Sequence, residues 1–290
     1  MTEVREKGYH HWEGQLQEKK WVFWPITRTG IKLAFERRRF KFLFACSFLP
    51  AISYAVGIYI SERLEDFKFM ARGAERTLQV NPAFFKSYLS LDLIFFMILL
   101  LMALGGAGLI ADDFRHRAIQ LYLARPITRN DYLIGKAGVV VFFVGLLTLL
   151  PAIILFVLKL LFSGSFRFFL DYPWLILSII LYSVLLMIFF TCYILLASSL
   201  SQNRNYVIAI IFAAYYLSEI ARGIFYAIFR SPYSILLSIP GNLQQVAAGF
   251  FRVKPATAAS WYLSFLAVVI FCLLSYFLIR RKLKAVEVIR

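Results

Sequence analysis

"ADDFRHRAIQLYLARPITRNDYLIGK", Ala111 to Lys136, is a polar interruption between two long apolar stretches. Read as a helix, Asp112–Ala124 puts Phe114, Ala118, Leu121 and Tyr122 on one face, at i, i+4, i+7 and i+8. Asp113 with Arg117, and Asp112 with His116, stand four apart and can pair. The two aspartates would also lie at the start of that helix, where the macrodipole favours negative charge. Pro126 then forces Arg125 out of helical geometry. The next residues restart a helix, with Thr128 as N-cap, Asp131 as its capping-box partner, and Ile127 and Tyr132 as the hydrophobic staple. Short amphipathic helix, hard turn and capped helix together make a rigid elbow. Such an elbow can dock another protein, or it can be a membrane-surface helix that merely joins two spans.

The apolar flanks place the elbow in a membrane protein. The chain has 290 residues, 61% of them hydrophobic and 17% charged, with a mean hydropathy of +0.72. An apolar stretch of roughly 20 residues crosses a bilayer as a helix. Six qualify, at about Phe40–Ile60, Leu89–Ile110, Ala137–Phe162, Trp174–Leu200, Tyr206–Phe229 and Trp261–Ile279. None alternates polar and apolar residues as a barrel strand would, so the fold class is all-α and polytopic. Basic residues set the expected orientation. With both termini inside, the inner segments (about 1–39, 111–136, 201–205 and 280–290) hold roughly twice the Lys and Arg of the outer ones. Much of the net charge of +16 is this asymmetry. No segment is long enough for a basic folded domain, which argues against a nucleic-acid partner. Met1–Lys20 is polar and does not read as a cleavable signal, so the expected location is a cell (inner) membrane.

Three domains follow: a cytoplasmic tail with an interfacial helix over 1–39, a six-helix membrane domain over 40–279, and a basic tail over 280–290. In the first, Arg28, Lys32, Glu36 and Arg39 form one stripe, with Ile26, Leu33, Ala34 and Phe40 away from it. That pattern suits a helix lying in the interface with Trp21 and Trp24 at headgroup depth. The last outer segment, about 231–260, is apolar but broken at Pro240-Gly241, so its pieces are too short to cross and read as re-entrant or interfacial. Cys46, Cys192 and Cys272 lie in apolar spans without disulfide or metal spacing and read as packing residues. Glu219 and Arg222, three apart in the fifth span, suit either an ion pair near a dimer or pore face or a substrate contact. Asp92 lies near the outer mouth of the second span, and Lys159 lies near a helix end where it can snorkel outward.

The elbow also resembles a known family. Ala124-Arg125-Pro126-Ile127-Thr128-Arg129, followed by Gly135-Lys136, is similar to the signature of type-2 ATP-binding-cassette (ABC) transporter permeases. The six-span layout, the N-terminal "AFERRRF" and the broken outer segment fit the same family as layout. The resemblance implies a coupling helix at about 112–125 that sits in a groove of a separate cytoplasmic ATPase. Its contacts would be Asp112, Asp113, Phe114, Arg115, Arg117, Ala118, Leu121, Tyr122, Arg125 and Pro126, and Thr128, Arg129, Asp131, Gly135 and Lys136 would form the lever. Two ATPase copies and a second permease copy, as a homodimer in membrane lipid, would complete an exporter.

The chain itself does not read as an enzyme. A P-loop needs G-x-x-x-x-G-K-[ST], and Asn130 and Ala137 stand where its first Gly and its Ser/Thr belong. ATP and magnesium are therefore expected in the partner ATPase, with no cofactor bound by this chain. Gly105-Gly106-Ala107-Gly108 lies within a span and suits close helix packing. His10-His11 has no companion metal spacing and reads as tail. A second reading gives the same lever a mechanical task, driving an extracytoplasmic accessory protein without transporting a substrate. A third, a membrane lipid enzyme, lacks acid and base groups gathered at one depth.

Overall fold

The computed structural model describes residues 23–63, 80–118, 127–164, 166–255 and 257–288. These residues form α1 (Trp24–Glu36), α2 (Arg38–Cys46), α3 (Leu49–Glu62), α4 (Pro82–Leu89), α5 (Asp92–Gly105), α6 (Gly108–Arg115) and α7 (Arg129–Leu147). They continue with α8 (Leu149–Ser163), α9 (Arg167–Asp171), α10 (Leu175–Leu200), α11 (Arg204–Phe229), a 3₁₀ turn (Pro232–Leu237), α12 (Ile239–Phe250) and α13 (Trp261–Val288). No strand occurs among the described residues. Six helical runs are long and apolar enough to cross a membrane: Arg38–Glu62, Pro82–Arg115, Arg129–Ser163, Leu175–Leu200, Arg204–Phe229 and Trp261–Leu283. The protein is thus an all-α, multi-pass membrane protein.

Spans two, three and four form the centre, with 61%, 56% and 56% of their apolar windows buried, against 17–22% for spans one, five and six. Spans two and three are also the longest, at 34 and 35 residues. At about 1.5 Å per residue each exceeds a hydrocarbon core of about 30 Å, so both must run on past the bilayer.

Two irregularities in these long spans are repaired by side chains. Pro151 lacks the N–H that would bond to the Leu147 carbonyl, and the Tyr88 hydroxyl donates to that carbonyl instead, at 3.2 Å. Span two breaks at Gly105–Ala107, where the Gly106 and Ala107 amides both donate to Met102 O, at 2.7 and 2.8 Å. This widened turn frees the Leu104 carbonyl, which accepts from Arg37 Nη1 at 2.6 Å and from the Arg204 guanidinium. On the far side of the break the buried Ser198 hydroxyl donates to Ala107 O (2.8 Å) and accepts from the amides of Ile110 (2.9 Å) and Ala111 (3.1 Å). Backbone groups that would otherwise lack partners in lipid are satisfied on both sides.

Several sequence expectations change. The outer segment does form short helices, but Pro240 and Gly241 open α12 rather than interrupt it. Ser238 caps that helix by accepting from the Gly241 amide at 2.8 Å, and Pro fits the first turn because its missing N–H would have no partner there. Lys159 does not snorkel. Its ammonium meets the Glu62 carboxylate and lies 5.2 Å from the Phe168 ring centroid. A carboxylate on the neighbouring span is the nearer solution for a cation with 12% side-chain exposure. The basic segment that begins at Arg280 continues α13 instead of forming a separate tail. Gly105 and Gly106 do serve close packing, against Phe40 and Ile194. His10, His11 and Trp21 lie outside the described residues.

Candidate functional site

The site is built where the feet of spans two and three meet. α6 runs from Gly108 to Arg115 and ends as Arg117 turns into the left-handed region at φ 54°. Asp112 and Asp113 are therefore in the body of a helix that begins four residues earlier, not at its start, so the expected dipole stabilisation does not apply. The segment 119–126, with Leu121, Tyr122, Arg125 and Pro126, lies outside the described residues. Arg115 and Arg117 are exposed, while Phe114 and Ala118 are half-buried. Lys282 of α13 places its ammonium 6.0 Å from the Phe114 ring centroid.

At Thr128 stands the capping box read from the sequence. The Asp131 amide donates to Thr128 Oγ1 at 3.2 Å, and the Thr128 amide donates to Asp131 Oδ2 at 3.1 Å. The two halves of the elbow are then joined by one carboxylate. Asp113 Oδ2 lies 2.6 Å from Lys136 Nζ and accepts from the Tyr132 hydroxyl at 2.6 Å. Both members of the ion pair are shielded, with 11% and 14% side-chain exposure, and Lys136 Nζ lies 5.5 Å from the Tyr132 ring centroid. The expected pairing of Asp113 with Arg117 gives way to this one because the break at His116–Arg117 ends the helical i,i+4 geometry. For the same reason His116 sets its Nδ1 against the Asp112 backbone carbonyl (2.8 Å), not its carboxylate. Asp113, first read as a partner contact, turns inward to Lys136, first read as part of the lever.

A second body locks onto this unit. The N-terminal helix α1 presents its Arg28, Lys32 and Glu36 stripe outward and buries Ile26, Thr27 and Ala34. Leu33 is an exception, remaining exposed. Thr27 Oγ1 donates to the Gly135 carbonyl at 2.8 Å in a buried contact. A Cβ at Gly135 would stand 2.8 Å from Ile26 Cβ and 3.0 Å from Phe23 O, and one at Gly138 would stand 2.6 Å from Thr27 Oγ1. The glycine of the Gly135-Lys136 pair is thus needed for backbone approach, as in other small-residue helix contacts. Between α1, the span-two break and α7 lies a cavity of about 160 Å³, lined among others by Arg37, Asp112, Asp113 and Lys136. Thr27, Gly138, Arg37, Arg204 and Ser198 escaped the sequence reading. Their partners are between 67 and 111 residues away along the chain, and only Arg37 and Arg204, two cations flanking apolar runs, gave a local signal.

At the opposite end, the fifth-span charges are brought together as an anchored pair. Glu219 Oε1 accepts from Arg222 Nη1 at 2.7 Å, and its Oε2 accepts from the Ser238 hydroxyl. Ser218 Oγ accepts from the Ile239 amide at 3.0 Å, so adjacent residues of α11 hold the corner that starts α12. Asp92 accepts from Gln244 Nε2 at 2.8 Å and shares with Glu219, Arg222 and Tyr215 a cavity of about 340 Å³. The pair expected from the three-residue spacing is present, and it stands at the wall of this cavity.

No curated protein matches the chain. Residues 37–282, which reach from the first span into the sixth, match the family described as "Protein of unknown function (DUF2705)". The chain belongs to that family.

Proposed function

We propose that the chain is the membrane-spanning subunit of an ABC transporter of the type-2 permease kind, acting as an exporter with a separate ATPase. The observation that carries this reading is the shared carboxylate of Asp113, which ties the foot of span two to the first turns of span three. A push on the segment between them reaches both spans at once, and reaches α1 through Thr27 and Gly135. The similarity of the Arg-Pro-Ile-Thr-Arg run and Gly135-Lys136 to the type-2 permease signature supports the same reading.

In this reading both termini and the elbow face the cytoplasm. Two ATPase copies hydrolyse magnesium ATP, and this chain, paired with a second copy, supplies path and lever. The low burial of spans one, five and six in the single chain leaves wide faces for that second copy and for lipid. The test is co-purification with the P-loop ATPase of the same operon. Leu121→Asp and Arg125→Glu are each expected to lower recovery of the ATPase at least tenfold while leaving thermal unfolding of the purified chain unchanged. Undiminished recovery with both variants would overturn the docking model.

A further inference from the structure

A groove between α10 and α13 differs in kind from the two polar cavities. Its volume is about 370 Å³, and its lining includes Leu181, Val184 and Ile188 from α10 and Phe265 and Leu273 from α13, with Phe250 of α12 joining them. From Leu181 to Ile188 is about 10 Å along the helix at about 1.5 Å per residue. Counted from Trp174 and Trp261, aromatic residues suited to the headgroup layer, the groove begins about 6–10 Å down and ends about 18–21 Å down. One leaflet counted from its headgroup layer is about 20–22 Å deep, half of a bilayer of about 40–45 Å. The groove therefore stays within one leaflet and runs along the direction of its acyl chains.

A cation stands above it. Arg252 follows Phe250 by two residues, adopts φ 52°, and holds its guanidinium 4.7 Å from the Trp174 ring centroid. The side chain is exposed, and among the described residues no carboxylate pairs with it. Lys254, also exposed, is two residues further on. A guanidinium resting on an indole face keeps its N–H edge available, and that edge matches two oxygens of a phosphate.

We propose that this groove seats one acyl chain of a phospholipid from the leaflet at the α12–α13 connection, with its phosphate held by Arg252. The charge complements the headgroup, and the lining complements the chain. The occupant is a resident lipid bracing spans four and six, and the site needs no ATPase to form.

The purified chain alone, delipidated in detergent, is titrated with dioleoylphosphatidylglycerol and followed by native mass spectrometry. One tightly held lipid per chain is expected, with dioleoylglycerol, which lacks the phosphate, binding at least fivefold more weakly. Inorganic phosphate in excess should leave the lipid in place. Arg252→Glu and Val184→Trp should each lower lipid occupancy at least fivefold, and Arg252→Lys, an exposed change that keeps the charge, should retain most of it. Equal occupancy in Arg252→Glu and the unmodified chain would overturn the proposal. So would displacement by inorganic phosphate, or a dimer that forms without lipid and covers this face. None of these outcomes bears on ATPase docking, which is measured separately.

Discussion

Removing the Asp113 carboxylate tests the elbow most directly. In Asp113→Ala, Lys136 loses an ion pair of 2.6 Å and Tyr132 loses a charge-assisted acceptor at 2.6 Å, both at shielded positions. Breaking a buried pair from one side costs about 3–5 kcal/mol, and these side chains, at 11% and 14% exposure, place this pair near the lower end, at about 3 kcal/mol. At about 2 °C per kcal/mol for a chain of this size, the unfolding midpoint should fall by about 6 °C in scans run at one rate. Lys136→Met should cost a similar amount, since it leaves the carboxylate behind. The double variant should cost much less than the sum of the two, with a coupling of about 2 kcal/mol, because neither charge is then left without the other. The assay is thermal unfolding of the four proteins in the same detergent. Additive losses, or single-variant shifts under about 1 °C, would refute the claim that this contact binds the two spans.

Two further perturbations probe the neighbouring contacts. Ser198→Ala removes one hydroxyl that serves a carbonyl and two amides at the span-two break, and it should cost about 2 kcal/mol and increase hydrogen exchange at Ile110 and Ala111. Unchanged exchange there would show that the break holds without its cap. Gly138→Leu places a side chain where Thr27 Oγ1 lies 2.6 Å from the new Cβ, so α1 should lift from α7 and become sensitive to protease, whereas Gly223→Leu, with open space at its Cβ, should not. Equal protease sensitivity in the two would count against the close approach of α1.

The sequence was most informative where the physics is local. Six apolar runs gave six spans, because burying a backbone in lipid leaves a helix as the economical way to satisfy its hydrogen bonds. The Thr128–Asp131 box was legible because both partners of each bond sit within one turn. The Glu219–Arg222 pair followed from helical spacing alone. Where the local rule met a competing tertiary contact, the tertiary contact won. Asp113 had Arg117 four residues ahead, yet it pairs with Lys136 across the elbow, and Lys159, free to reach outward, pairs with Glu62.

Residues alone thus determined the class of fold, the number of crossings and the capped restart of the third span. Only the tertiary structure decided where span two breaks, which carbonyls the break exposes, and that Arg37, Arg204 and Ser198 close it. It also decided that Tyr88 serves the carbonyl left open by Pro151 and that Gly135 is small for the sake of α1. The reason is one of distance along the chain. A cap, a staple or an i,i+3 pair is specified by neighbours in sequence. A broken helix in lipid instead takes its donors from whatever elements pack beside it, and which elements those are follows from the packing of all six spans.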